Sequence, residues 1–202
     1  MPLLMISGFE PFDGYSINPS AELAKALDGK RIGLYEIAGL VLPLDYDTAH
    51  EILMKEVEEQ SPEIVLCTGQ ASRPAITLER IAINAQSVTR QDNYGNLPES
   101  DVIDASGPVG YFTTIDPHPL VAELEKVGIP AFVSYHAGIY GCNWLIFNVM
   151  RQIHEKNLDL KATFIHVPPL PFQAIERSNQ YLATMPLETL VSAFETIIQN
   201  LP

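Results

Sequence analysis

The sequence predicts an α/β fold: a mostly parallel, twisted sheet covered on both faces by helices, held in a single domain over residues 1–202. Three observations lead there. Short β-branched and apolar runs alternate with longer segments of helical period, the pattern of repeated strand–helix units. Runs such as Glu63–Thr68 are continuously apolar after their first residue, as strands buried on both faces are. The 202 residues contain no internal repeat or low-complexity linker, and that length fills one core better than two.

Leu3–Ser7 reads as the first buried strand, and GFEPFDGYSINP after it has the Gly, Pro and Asn of a structured loop. Ser20–Leu27 carries an apolar face at helical spacing. A second strand falls within Leu34–Leu42 and is closed by Pro43. Asp47–Gln60 is an amphipathic helix with Ala49, Ile52, Leu53 and Val57 on one face. Glu63–Thr68 is a third strand, ending at Gly69, and Ile76–Ala85 is another. Residues 86–118 are polar, rich in Gly and Pro, and carry no period that assigns them. Ala131–Tyr135 is apolar and runs into HAGIYG. Asn143–Glu155 is helical in pattern, Thr163–Val167 is the last strand and Leu187–Leu201 a closing helix. Parallel sheets place functional groups just beyond the carboxyl ends of their strands. Gly69–Gln70, the segment ending in Cys142, and His166 each follow or end a strand, so all three are expected at one edge of the sheet.

Composition excludes several classes of function. Twelve basic against twenty-five acidic residues give a formal net charge of −13. A chain that acidic, without a local basic stripe, repels a phosphate backbone and an anionic lipid surface alike, so neither nucleic acid nor membrane is expected as a partner. The opening MPLLMISGFEPF lacks a basic segment and a signal-length apolar run. Two cysteines, Cys67 and Cys142, make no disulfide framework and no structural zinc site, and the five histidines show no ligand spacing around them. These features point to a reducing, cytoplasmic setting and to no metal.

The two thiols differ in setting. Cys67 lies within EIVLC, a buried strand in which it serves as a small apolar side chain. Cys142 follows Gly138 and Gly141 and precedes the helical NWLIFNVMRQIHE. At a helix N-terminus the dipole and unpaired N–H groups favour a thiolate and can hold an oxyanion. Position alone leaves Cys142 open between a core thiol and a nucleophile. A nucleophile needs a base. His50 and His154 fall on amphipathic helices and read as surface groups, His118 lies between prolines, and His136 sits in the loop before Cys142. His166, in FIHVPPLP, ends a buried strand stopped by Pro168 and Pro169, and either satisfies a core hydrogen bond or faces a site. Glu79 interrupts the strand-like ITLERIAIN, where Glu is depleted, and either pairs with Arg80 at the surface or orients a histidine.

Five segments together resemble the pyroglutamyl peptidase type I (pyrrolidone-carboxylate peptidase) family of cysteine peptidases. They are GFEPFDGYSINPS, GQASRPAITLERIAIN, DNYGNLP, AGIYGCNW and FIHVPPLP, in the family's order and at nearly its spacing. The resemblance implies an α/β/α sandwich and a catalytic triad of Cys142, His166 and Glu79. It implies a lactam ring flanked by Phe9 and Phe12, with Gln70 near the scissile group or the ring amide. It also implies N-terminally pyroglutamylated peptides as substrates, no cofactor, and assembly into a homotetramer. Backbone N–H groups of Gly141 and Cys142, with Arg90, are the expected oxyanion donors. Two departures stand out. The family's GQA-G-G-R stretch is GQASR here, one residue shorter before Glu79. The family's Arg three residues before the DN pair is Thr89, with Arg90 one position later; in a strand such a slip reverses the side chain, whereas a loop absorbs it. The alternative implied by these departures is a family member that binds pyroglutamyl peptides without turnover.

Overall fold

A computed structural model describes all 202 residues. In chain order the elements are β1 (Leu3–Phe9), α1 (Pro19–Leu27), β2 (Arg31–Ile32), β3 (Tyr35–Leu42), α2 (Ala49–Gln60), β4 (Ile64–Gln70), β5 (Ile76–Glu79) and β6 (Ile81–Ile83). They continue as β7 (Gly110–Phe112), α3 (Pro117–Lys126), β8 (Ala131–Ser134), α4 (Gly141–Lys156), β9 (Lys161–Val167), α5 (Pro171–Glu176) and α6 (Leu187–Gln199). Seven strands form one sheet in the order β2-β3-β1-β4-β9-β5-β8. β3, β1, β4 and β9 are mutually parallel, whereas β5 and β8 run together in the opposite direction.

The period-two alternation of a strand splits each central strand between two cores. Leu4, Ile6, Ile64, Leu66, Ile165 and Val167 pack with α1, α3 and α6 on one face. Met5, Val65, Cys67, Ala162 and Phe164 pack with α2 and α4 on the other. The result is a three-layer α/β/α sandwich. Alternation also assigns Gly69 and His166 to the α4 face, because they share parity with Cys67 and Phe164. On β5, Ile76 and Leu78 belong to the α1 side, which turns Thr77 and Glu79 toward α4.

Local chemistry explains the helix starts. Asn18 caps α1 by accepting from the Ser20 N–H at 3.0 Å, with Pro19 in the first helical position. The helix then lies directly on β1, where a Cβ on Gly8 would stand 2.2 Å from the Ser20 carbonyl oxygen. Asp116 and Pro117 start α3 in the same way, inside a stretch whose loop-like composition hid it.

Two readings need correction. Ile76–Ala85 is not one strand. It breaks at Arg80, whose N–H bonds to the Ser134 carbonyl and whose carbonyl accepts from Thr113, and β6 leaves to pair with β7 in a separate two-stranded sheet. The strand before Cys142 also points the wrong way for the carboxyl-edge rule. β8 runs antiparallel to β9, so Cys142 reaches that edge only because residues 135–140 carry the chain back to it.

Candidate active site

The reversed direction of β5 brings Glu79 to His166. Thr77 lies opposite His166 in the antiparallel ladder and Glu79 opposite Phe164, so Glu79 and His166 are diagonal neighbours on one face. That spacing is within reach of long side chains, and His166 Nδ1 stands 2.8 Å from Glu79 Oε1. Glu79 is 0% exposed and His166 4%. In so dry a setting a charge-assisted hydrogen bond contributes about 1.5–3 kcal/mol, and removal of Glu79 leaves the buried His166 Nδ1 without its partner.

The same carboxylate oxygen accepts from Arg73 Nη1 at 2.9 Å. Arg73 is itself held by Thr77 Oγ1 at 2.6 Å and by the His136 carbonyl at 3.0 Å. Burial works to raise the Glu79 carboxyl, but the His166 bond and charge, with Ser134 and Arg73, together hold it below its ordinary value. Burial lowers the His166 imidazole, and Arg73 adds to this, against the upward pull of Glu79. The pair therefore rests as a carboxylate beside a neutral imidazole.

Cys142 approaches from the helix layer. A Cβ on Gly69 would lie 2.7 Å from Cys142 Sγ, so the thiol rests against the bare backbone of β4, one strand from His166. No side chain caps the start of α4, and the first-turn N–H groups of Gly141 and Cys142 stay free of side-chain partners. Asn143, fully buried, grips the Ile83 backbone on both its N–H and C=O and pins this helix start to β6. The expected thiolate is not what rests here. Burial pushes the Cys142 thiol up to about 12, Glu79 pushes the same way, and Arg90, Arg73 and the residue's own N–H pull back without offsetting it.

Cys142 and His166 line one cavity of about 290 Å³ together with Phe12, Gln70, Arg73, Arg90 and Tyr140. A second cavity of about 370 Å³, bordered by Asp13, Tyr15 and Arg177, shares Phe12, Gln70, Ala71 and Arg90 with it. A larger hollow of about 660 Å³ lies between the C-terminal ends of α2 and α4, but no cysteine or histidine lines it. Chemistry, not size, marks the candidate site.

The displaced Arg90 lies in a loop. Its guanidinium stacks 3.8 Å from the Tyr140 ring centre and pairs with Asp13, at the border of both cavities. Phe12 lines the cavity. Phe9 is 1% exposed, and its ring bounds a narrow crevice with Leu44, Tyr46, Gly141 and Trp144 beside the start of α4. His50 is half-buried edge-on to Trp144, not a surface group. No three His, Cys, Asp or Glu side chains are grouped to hold a metal ion, and no helix is long and apolar enough to cross a membrane.

The family model described as pyroglutamyl peptidase matches residues 3–201. The chain belongs to the pyroglutamyl peptidase family. It is 38% identical over 200 residues to a pyrrolidone-carboxylate peptidase of Bacillus cereus, covering 98% of this chain and 92% of that one. Its structure is similar to the pyrrolidone carboxyl peptidase of Thermococcus litoralis, with a TM-score of 0.92, 36% identity, and coverage of 98% and 92%. Pyroglutamyl peptidase I of Bacillus amyloliquefaciens gives a TM-score of 0.92 at 33% identity, covering 97% and 92%. As a member of this pyroglutamyl peptidase family, the chain is a hydrolase, a cysteine-type exopeptidase.

Two residues were not read from the sequence. Arg73 was passed over although it sits in the GQASR segment; a buried Glu accepting from a histidine has room for a second donor. Gln173 is 0% exposed and bonds to Gln70. Its signal was present in LPFQ, where Pro at the first helical position and Gln at the third mark a helix start whose Gln reaches back to the capping residue.

Proposed function

We propose that this chain removes an N-terminal pyroglutamyl residue from peptides, with Cys142 as nucleophile, His166 as base and acid, and Glu79 as the orienting carboxylate. The observation that carries the reading is the buried Glu79–His166 pair, whose imidazole lines one cavity with a thiol at an uncapped helix start.

In this mechanism neutral His166 takes the thiol proton as the sulfur attacks the carbonyl that links pyroglutamate to the next residue. The N–H groups of Gly141 and Cys142, with the Arg90 guanidinium nearby, hold the oxyanion. The imidazolium then protonates the leaving amine, and the tetrahedral centre collapses to a thioester. His166 takes a proton from water as it attacks the thioester, and returns it to the sulfur; free pyroglutamate leaves. The high resting value of the thiol makes the base essential, since sulfur ionises only as its proton is received. The rest of the peptide runs along the second cavity past Arg90. Phe12 gives the lactam one apolar face, and Phe9 gives the other once the crevice beside Gly141, closed in the substrate-free protein, opens. An N-terminal Glu or Gln is refused because its ammonium would be buried there without a partner.

The binder without turnover drew its main support from the Thr89/Arg90 slip. Arg90 reaches the cavity through a loop, which favours turnover over that alternative. The reading extends to one domain over residues 1–202, a cytoplasmic setting, and a homotetramer with no nucleic-acid or membrane partner. A chromogenic pyroglutamyl anilide, assayed beside the prolyl and glutaminyl anilides, tests it. Cleavage of the first alone is expected. An inactive wild type, or equal cleavage of all three, sinks the proposal.

A further inference from the structure

Gln173 is a buried glutamine whose amide has both ends assigned by the backbone. Its Oε1 accepts from the Leu170 N–H at 2.8 Å, and its Nε2 donates to the Ile17 carbonyl at 3.3 Å. An N–H can only meet an acceptor and a C=O can only meet a donor, so the reverse orientation would break both bonds. The same Nε2 donates to Gln70 Oε1 at 2.9 Å. The orientation is thereby passed on. Gln70 has its oxygen occupied, no partner for its own Nε2 in the protein, and a place on the wall of both cavities.

We propose that Gln173 is a positioning residue that fixes the Gln70 amide with its NH2 toward the cavity, so that Gln70 donates a hydrogen bond to the lactam carbonyl of the substrate. The inference rests on the proposed function and deepens it. Proline has the same five-membered ring without that carbonyl. A donor-facing Gln70 is left unpaired by proline, whereas an acceptor-facing one would be left unpaired by neither the lactam N–H nor the prolyl ammonium. The polarity of one side chain thus separates two rings of equal size.

The test compares wild type with Gln173→Glu, Gln173→Met, Gln70→Met and the double variant Gln173→Glu/Gln70→Met, each checked for folding by thermal unfolding. The readouts are kcat and KM for the pyroglutamyl anilide and the inhibition constant of 2-pyrrolidinone, the bare lactam. Gln173→Glu keeps an acceptor for Leu170 but removes the donor, so Gln70 turns its NH2 inward. KM and the inhibition constant should then rise about tenfold or more, with kcat little changed. They should recover at acid pH, where the introduced carboxyl is protonated and donates again. The double variant should be no worse than Gln70→Met alone, because one residue acts through the other. Unchanged KM in a folded Gln173→Glu, additive losses, or a fall confined to kcat would overturn the assignment. If wild type cleaves nothing, the proposed function fails separately, and side-chain amide exchange decides this point. The Gln173 NH2 should then be protected and the Gln70 NH2 exchange freely; the reverse overturns it.

Discussion

Cys67, in the middle of β4, and Cys142, at the start of α4, make a controlled comparison within one protein. Both thiols are buried in the core beneath α4, and burial pushes both up to about 12. By acidity alone they are the same group. Their neighbours differ. Cys67 has strand on either side, with Ser7 opposite it on β1, and it lines none of the cavities around the site. Cys142 shares a cavity with an imidazole that burial keeps neutral and a carboxylate aims. In the proposed mechanism Cys142 is distinguished by what can receive its proton and by an opening for substrate, not by a lowered resting value.

The sharpest way to break that comparison is to delete each sulfur in turn. Cys142→Ala should lower kcat/KM for the pyroglutamyl anilide by at least about 10³-fold. Cys67→Ala should leave kcat/KM within about threefold and cost about 1 kcal/mol of stability, as removal of a small buried group does. A Cys67→Ala protein that is folded but inactive would reverse the assignment. Next in size is Glu79→Gln, which keeps the shape and presents an amide to His166. A loss of about 10²- to 10⁴-fold is expected, mostly in kcat, because the imidazole tautomer and the imidazolium both lose their support.

The smallest effect lies in the pH profile. His166 must be neutral to accept the thiol proton, and its pKa is lowered from 6.5, burial being the main cause. Activity should therefore hold through pH 6.5 and fall only below it. Arg73→Gln removes a cation that disfavours the imidazolium, so the acid limb should move to higher pH. The same shifts act on stability with the same sign. The unfolded chain takes up protons before the folded one, so stability is lost as pH falls below 6.5 for His166 and below 4.5 for Glu79. An acid limb above pH 6.5 would mean that the thiol and the imidazole rest as an ion pair, and that Cys142 is set apart from Cys67 before substrate arrives.

Strands β1, β4 and β9 and helices α1, α2, α4 and α6 were legible because each combines a clear period with a clear boundary. α3 was not, although its Asp116–Pro117 start and its Leu120 and Leu124 spacing are visible once sought, because the Gly- and Pro-rich segment before it coloured the whole region. The break at Arg80 had no local mark. It is made by Ser134 and Thr113, which meet Arg80 only in the fold. Strand direction was beyond reach as well. ITLERIAIN reads the same whether its strand runs up or down, yet only the antiparallel course sets Glu79 diagonal to His166. Of the candidate site, the motifs named Cys142, His166 and Glu79, the groups that the proposed mechanism uses. Arg73 and Gln173, which orient those groups or their neighbours, became visible only through their hydrogen bonds.

That reversed strand has a consequence in time. Glu79 and His166 are 87 residues apart in the chain, and their pairing needs β9, the last strand to leave the ribosome, to slot between β4 and β5. Until then β4 and β5 have no common neighbour, and the acid has no base to aim. A nascent or half-folded chain therefore carries the thiol without the means to ionise it. Under the proposed mechanism, hydrolytic competence arrives only when the sheet is complete.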